Sequence, residues 1–274
     1  MVPVVDFCGV KVSRLIVGGN TVSGTSHLNK KLDAEMEDYF TFSNIKKMLF
    51  RCKEFGINTM QLRGDKHIMR LIREFRLEGG NMNWIAQSAP EMGSFDANIK
   101  QMAAYKPAMI YLHGNVTDDL YKKGNFEELT RRLKVIRETG YPVGLTTHIP
   151  EVVEYSEAHK WDVDFYMCCV YNFSIPERQE QAKREGHEEM FFNESDPPLM
   201  YQAIRSVKKP CLAFKILAST RKCKDQNSVK AAFDDCYANI KPGDCAIVGM
   251  FPRDIDQVAL NAKYAEEAIN KVKK

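Results

Sequence analysis

Two histidines, His113 and His148, each end a short apolar run rich in β-branched and aromatic residues. Such runs predict buried strands, and the ends of neighbouring parallel strands lie about 5 Å apart. Two imidazoles at that spacing can bind one zinc or manganese ion, with Glu91 or Cys169 as a third ligand and an open position for water or a carbonyl oxygen. The alternative, which we favour, is a metal-free polar pocket in which the same imidazoles bind the substrate or transfer protons.

Further polar side chains follow the other predicted strands. The planar guanidinium of Arg63 suits a carboxylate or phosphate oxygen, and its alternative role is an ion pair with Asp65. Lys215 can bind an anion or, if it is desolvated, form a Schiff base with a carbonyl substrate. Because side chains alternate along a strand, only one of Phe214 and Lys215 is expected to face the interior. The remaining candidates for substrate contacts are Asn20, Gln87, Tyr171 and Asn172.

Eight apolar runs alternate with amphipathic segments along the chain. The runs cover residues 15–19, 57–62, 83–89, 108–113, 142–148, 163–171, 210–217 and 245–250. The segments 44–55 and 126–139 have helical periodicity, and each is followed by a glycine, Gly56 or Gly140, where a helix is expected to end. Eight strands alternating with helices over about 250 residues predict a single (β/α)8 barrel domain spanning residues 1–274. In such barrels the chemistry takes place on the loops that follow the strands.

Two of those loops are long and charged, over residues 21–40 and 173–198. Long loops on the functional face of a barrel are candidates for lids, and the alternative is that they are insertions without a function. The run of glycine, histidine and glutamate at 186–189 is typical of a solvated charged segment rather than a cluster of metal ligands.

Composition excludes several classes of function. The chain has 274 residues and a formal net charge of +3, with no basic stripe, so nucleic-acid binding is not expected. No apolar run approaches the roughly 20 residues that span a bilayer, and the first residues do not resemble a secretion signal. The eight cysteines are scattered, which is typical of reduced thiols. We therefore expect a cytoplasmic protein that acts on a small molecule; the sequence does not indicate its oligomeric state.

Five segments resemble, in order, segments of the aldo-keto reductases and together span nearly the whole chain. They are KVSRLIVGG at 11–19, FGINT at 55–59, MIYLH at 109–113, FKILA at 214–218, and IVG at 247–249 followed by Asp256, Gln257 and Asn261. The resemblance implies a (β/α)8 barrel and NADPH as a possible cofactor. It would place Phe214 against the nicotinamide, and Gly249 and Arg253 in the loop that binds the phosphate.

The chemistry of that family is not implied, because its active-site residues are largely replaced. The family protonates its substrate from a tyrosine supported by lysine, aspartate and histidine. The resemblance places Arg63 at the tyrosine position and Gln87-Ser88 where threonine and lysine are expected, and only His113 matches. An arginine does not donate a proton near neutral pH.

We therefore expect an aldo-keto reductase-like barrel enzyme with a different reaction. Its substrate is small, polar and carbonyl- or acid-bearing, such as a sugar acid. Its reaction is an isomerisation, elimination or hydrolysis carried out by His113, His148 and Arg63, with acid/base or metal assistance. One alternative is an NADPH-dependent reductase whose proton donor is Tyr111 or Tyr171. Another is a non-catalytic binding protein on the same scaffold.

Overall fold

The N-terminal segment forms a hairpin that the apolar runs of the sequence do not indicate. In this computed structural model, which describes residues 1–178, 180 and 190–272, strand β1 (Val4–Phe7) pairs antiparallel with β2 (Val10–Ser13). Phe7 and Val12 are fully buried, and the ring of Phe7 packs 5.6 Å from that of Phe165. The hairpin therefore packs on the apolar interior of the sheet described next.

Eight parallel strands close into a barrel, as the alternating apolar runs predict. They are β3 (Leu15–Gly18), β4 (Thr59–Arg63), β5 (Asn83–Gln87), β6 (Met109–Leu112), β7 (Val143–Thr147), β8 (Phe165–Cys169), β9 (Cys211–Phe214) and β10 (Cys245–Gly249). Neighbours in sequence are neighbours in space, and β10 pairs with β3 to complete the cylinder. The single (β/α)8 barrel is thereby confirmed.

Helices cover the outside of the barrel. They are α1 (Lys30–Tyr39), α2 (Phe42–Glu54), α3 (Lys66–Leu77), α4 (Phe95–Ala104), α5 (Gly114–Lys122), α6 (Phe126–Arg137), α7 (Pro150–Ala158), α8 (Asp196–Ser206), α9 (Gln226–Asn239) and α10 (Gln257–Lys271). Gly56 and Gly140 follow α2 and α6, each with a φ of 79°, as expected for glycines beyond a helix end. Within the described residues, no helix is both long enough and apolar enough to cross a bilayer.

Three details differ from the expectation. The segment 21–40 is not a continuous loop, because its second half forms α1 with Asn29 as the N-cap. The seventh strand ends at Phe214 rather than at residue 217, because the backbone turns into the left-handed region at Lys215 (φ 63°). The predicted loop 173–198 overlaps the start of α8, and its residues 186–189 lie outside the described residues.

Candidate active site

A large cavity lies at the C-terminal ends of the barrel strands. Its volume is about 1450 Å³. Most of the residues that the sequence places in the site line it: Asn20, Arg63, Gln87, Glu91, His113, His148, Phe214, Lys215 and Gly249. Residues that are paired in register on neighbouring strands point to the same side of the sheet. Arg63 pairs with Gln87, and Gln87 pairs with Tyr111, so these three side chains reach the same cavity.

His148 is held by a carboxylate. Its Nδ1 lies 2.7 Å from Oδ2 of Asp118, and its backbone N–H donates to the same carboxylate. The hydroxyl of Thr147 also donates to Asp118, at 2.5 Å. Asp118 and His148 are both buried, and Phe173 and Phe214 pack against the imidazole ring. The contact at Nδ1 fixes the ring and leaves Nε2 as the nitrogen that can face a ligand.

His113 differs from His148 in the contact made by its Nδ1 atom. It is the N-cap of α5, and its Nδ1 accepts a hydrogen bond from the backbone N–H of Asn115 at 3.2 Å. The proton of the neutral ring therefore lies on Nε2, which can donate a hydrogen bond. Burial, the Arg63 guanidinium and the His148 ring lower the pKa of His113 to about 4. At neutral pH this imidazole is an uncharged donor.

Asp118 and His27 belong to the site but are absent from the sequence prediction. Asp118 lies inside α5, and the sequence gives no sign that its carboxylate turns back toward the barrel rather than outward to solvent. His27 lines the cavity from the segment before α1, and Nδ2 of Asn20 lies 3.1 Å from its Nε2. Burial and the Lys215 ammonium lower the pKa of His27 to about 3. A short segment with no regular periodicity gives no signal for its direction.

The metal site predicted from His113, His148 and Glu91 is not assembled. Both Nε and Nη2 of Arg63 donate to the Glu91 carboxylate, which is therefore committed to a guanidinium. In the part of the chain that the structure describes, no group of three or more histidine, cysteine, aspartate or glutamate side chains is arranged to hold a metal ion. The alternative role of Arg63, an ion pair with Asp65, is not found either: Arg63 binds Glu91, and the Asp65 carboxylate caps α3 by accepting from the Ile68 N–H.

Phe214 and Lys215 both line the cavity, although strand alternation allowed only one of them to do so. The left-handed backbone at Lys215 breaks the alternation at that point. Its ammonium lies 4.6 Å from the centre of the Phe173 ring and 3.2 Å from Sδ of Met190. Lys215 is thus a cation held among aromatic and thioether groups.

Tyr171, Asn172 and Arg253 lie outside the cavity lining. The Tyr171 hydroxyl donates to Glu194 at 3.3 Å. The side-chain oxygen of Asn172 accepts from the Ser174 N–H, which shapes the turn after β8. Two carboxylates, those of Glu35 and Asp254, bind the Arg253 guanidinium.

Only some of the residues of the NADPH site implied by the resemblance line the cavity. Phe214 and Gly249 line the cavity, but the expected phosphate partner Arg253 is directed to two carboxylates. Tyr111 lines the cavity floor, where its hydroxyl accepts from Nε2 of Gln61 at 2.6 Å and burial raises its pKa well above the usual value. These residues do not fit the cofactor as the resemblance requires.

No protein-family model and no curated protein sequence matches the chain. Among solved structures it is similar to a truncated form of 3-deoxy-D-arabino-heptulosonate 7-phosphate synthase from Thermotoga maritima. The TM-score is 0.55 at 13% identity, over 99% of this chain and 91% of that chain. It is also similar to the Yersinia pestis dihydropteroate synthase, with a TM-score of 0.52 at 10% identity, over 100% of this chain and 98% of that one. At such identities the comparisons show the barrel fold, and they give no support to the finer likeness to aldo-keto reductases.

Proposed function

We propose that the protein is an enzyme that moves a proton at a carbon atom next to a carbonyl group of a small polar substrate. One observation carries the proposal: a carboxylate-bound histidine and a neutral, donor-oriented histidine line the same cavity at the strand ends. The first is arranged as a base and the second as a hydrogen-bond donor to oxygen. Isomerisation and elimination both begin with this step.

The proton transfer uses Nε2 of His148. This nitrogen takes the proton from the substrate carbon, and the imidazolium that forms is stabilised by the Asp118 carboxylate at Nδ1. The electron pair of the broken C–H bond moves toward the carbonyl oxygen. Return of the proton to the same or the neighbouring carbon restores His148 and completes an isomerisation.

His113 stabilises the negative charge that develops on the oxygen. Its neutral Nε2–H donates to that atom, and its low pKa keeps the ring uncharged at neutral pH. A neutral imidazole at a helix N-terminus is an established way to polarise a carbonyl group, since the donated proton stays on the ring. The position of His113 as the N-cap of α5 matches that arrangement.

The proposal can be tested without knowing the natural substrate. Pyruvate, other 2-oxo acids, 2-hydroxy acids and small ketoses are incubated with the protein in D2O, and loss of carbon-bound protons is followed by proton NMR. We expect the wild-type protein to catalyse exchange with at least one compound. In the His148→Gln variant, the rate of that exchange should be lower by roughly 10²- to 10⁴-fold. His159→Gln is the matched control, because His159 is exposed and stacks on Tyr155. Absence of exchange across the whole panel, or full exchange by His148→Gln, contradicts the proposal.

A further inference from the structure

Arg63 and Glu91 form a two-point contact between charged side chains that line the cavity. Arg63 is the last residue of β4, and Glu91 lies on a single 3₁₀ turn, Pro90–Met92, beyond β5. The two guanidinium nitrogens Nε and Nη2 each donate to a different oxygen of the Glu91 carboxylate. This parallel arrangement is the one in which arginine binds any carboxylate, including that of a ligand.

The two partners differ in how firmly the structure holds them. Arg63 extends from a barrel strand, and its side chain is 30% exposed, against 48% for Glu91. The 3₁₀ turn has no buried residue and no side-chain cap, and it ends at Gly93 (φ 80°), whose surroundings are open. Glu91 can therefore leave the pair by a movement of its short turn, while Arg63 stays where it is.

The pair also lies beside the proposed chemistry. Both residues line the cavity with His113, and the charges of both act on the pKa of that ring in opposite directions. A ligand carboxylate that takes the place of Glu91 on Arg63 therefore lies close to the histidine that polarises the carbonyl oxygen. It also keeps the guanidinium paired, so that the half-buried charge of Arg63 is not left without a partner.

We propose that Arg63 binds a carboxylate of the substrate and that Glu91 occupies this position until the substrate displaces it. The substrate class is then a small carboxylic acid that also carries a carbonyl group. This inference rests on the proposed function for the carbonyl group, and it assigns to Glu91 a competing role that weakens the binding of acids but not that of neutral carbonyl compounds. A neutral compound does not displace Glu91, because it offers Arg63 no negative charge in exchange.

Calorimetric binding of pyruvate at pH 7.5 tests the inference. Glu91→Gln removes the competing charge at nearly constant size, and we expect it to lower the Kd for pyruvate about tenfold. Arg63→Gln should raise that Kd at least tenfold, and the double variant should behave like Arg63→Gln. Asp162→Asn is the control: Asp162 binds Arg137 through both carboxylate oxygens, at 3.0 and 2.8 Å, in a pair that is not part of the cavity lining. The Asp162→Asn variant should therefore leave the Kd for pyruvate unchanged.

If Arg63→Gln does not fold, a comparison of pyruvate with its neutral ester, methyl pyruvate, still tests the inference. The wild-type protein should bind pyruvate more tightly than the ester, and Glu91→Gln should widen that difference about tenfold. An unchanged or weaker affinity of Glu91→Gln for pyruvate overturns the inference, since a purely structural ion pair predicts that result. The binding assay needs no proton transfer, so a failure of this inference can be told apart from a failure of the proposed proton transfer.

Discussion

The two cavity histidines differ in what contacts their Nδ1 atoms. A carboxylate contacts that atom in His148, and a backbone N–H donates to it in His113. The same side chain is thereby arranged as a base at one strand end and as a donor at the next. The sequence predicts the positions of both residues, because each ends an apolar run, but it does not predict the partner that determines each role.

The low pKa of His113 makes the stability of the fold depend on pH. The unfolded chain binds a proton at His113 below about pH 6.5, and the folded chain only near pH 4, so stability is lost as the pH falls between these values. The His113→Asn variant keeps a side-chain cap for α5. Between pH 7 and pH 5, we expect its free energy of unfolding to fall by about 2 kcal/mol less than that of the wild type. Urea unfolding at the two pH values measures this. Equal losses in both proteins would show that His113 is not buried in its neutral form.

Thr146 and Thr147 are neighbours in β7 with opposite hydrogen bonding. The hydroxyl of Thr147 bonds to Asp118 and Ile149, whereas that of Thr146 is buried without a partner among the described residues. Thr146→Val should therefore raise the free energy of unfolding by about 1 kcal/mol, and Thr147→Val should lower it by about 1–3 kcal/mol. Thermal or urea unfolding gives both values. A loss of stability in Thr146→Val would mean that its hydroxyl has a partner.

A single element, α5, positions most of the proposed chemistry. It begins directly after His113, which caps it, and it carries Asp118 back against His148. This arrangement places the donor His113 directly before α5 and the carboxylate that holds the base His148 within α5. Sequence periodicity identifies α2 and α6 within one or two residues, because each has a clear apolar face and a glycine beyond its end. It cannot identify a buried aspartate such as Asp118, whose partner is 30 residues away.

At Gly144, strand β7 lies close to side chains of two neighbouring strands in the barrel interior. A Cβ atom at this position would overlap the ring of Phe165 and lie 2.6 Å from Cβ of Tyr111. Gly144→Ala should lower the free energy of unfolding by about 1–3 kcal/mol, because the barrel interior has no room for the methyl group. Gly243→Ala is the control, since its Cβ meets nothing within 4 Å. If urea unfolding gives the same stability for both variants, the interior is less tightly packed than described.

At the scale of the whole molecule, the barrel fold follows from the sequence, and most of the candidate residues named from the sequence line the cavity. Eight buried strands in a parallel sheet give continuous apolar runs, and the barrel rule directs attention to the residue after each run. The rule fails where the chain leaves regular geometry, as at the left-handed Lys215 and in the turn that carries His27. The rule also does not predict ion pairs. Arg63 pairs with Glu91 rather than with Asp65, because the Asp65 carboxylate caps α3.

The exchange rate of the Asp118→Asn variant shows whether Asp118 and His148 act together in proton transfer. Asparagine keeps the shape of the side chain but removes the charge that would stabilise the His148 imidazolium. With a substrate that the wild-type protein exchanges in D2O, we predict a rate at least 10²-fold lower in Asp118→Asn, with unchanged affinity for pyruvate. A rate equal to that of the wild type would contradict the assignment of His148 and Asp118 as the proton-transferring pair.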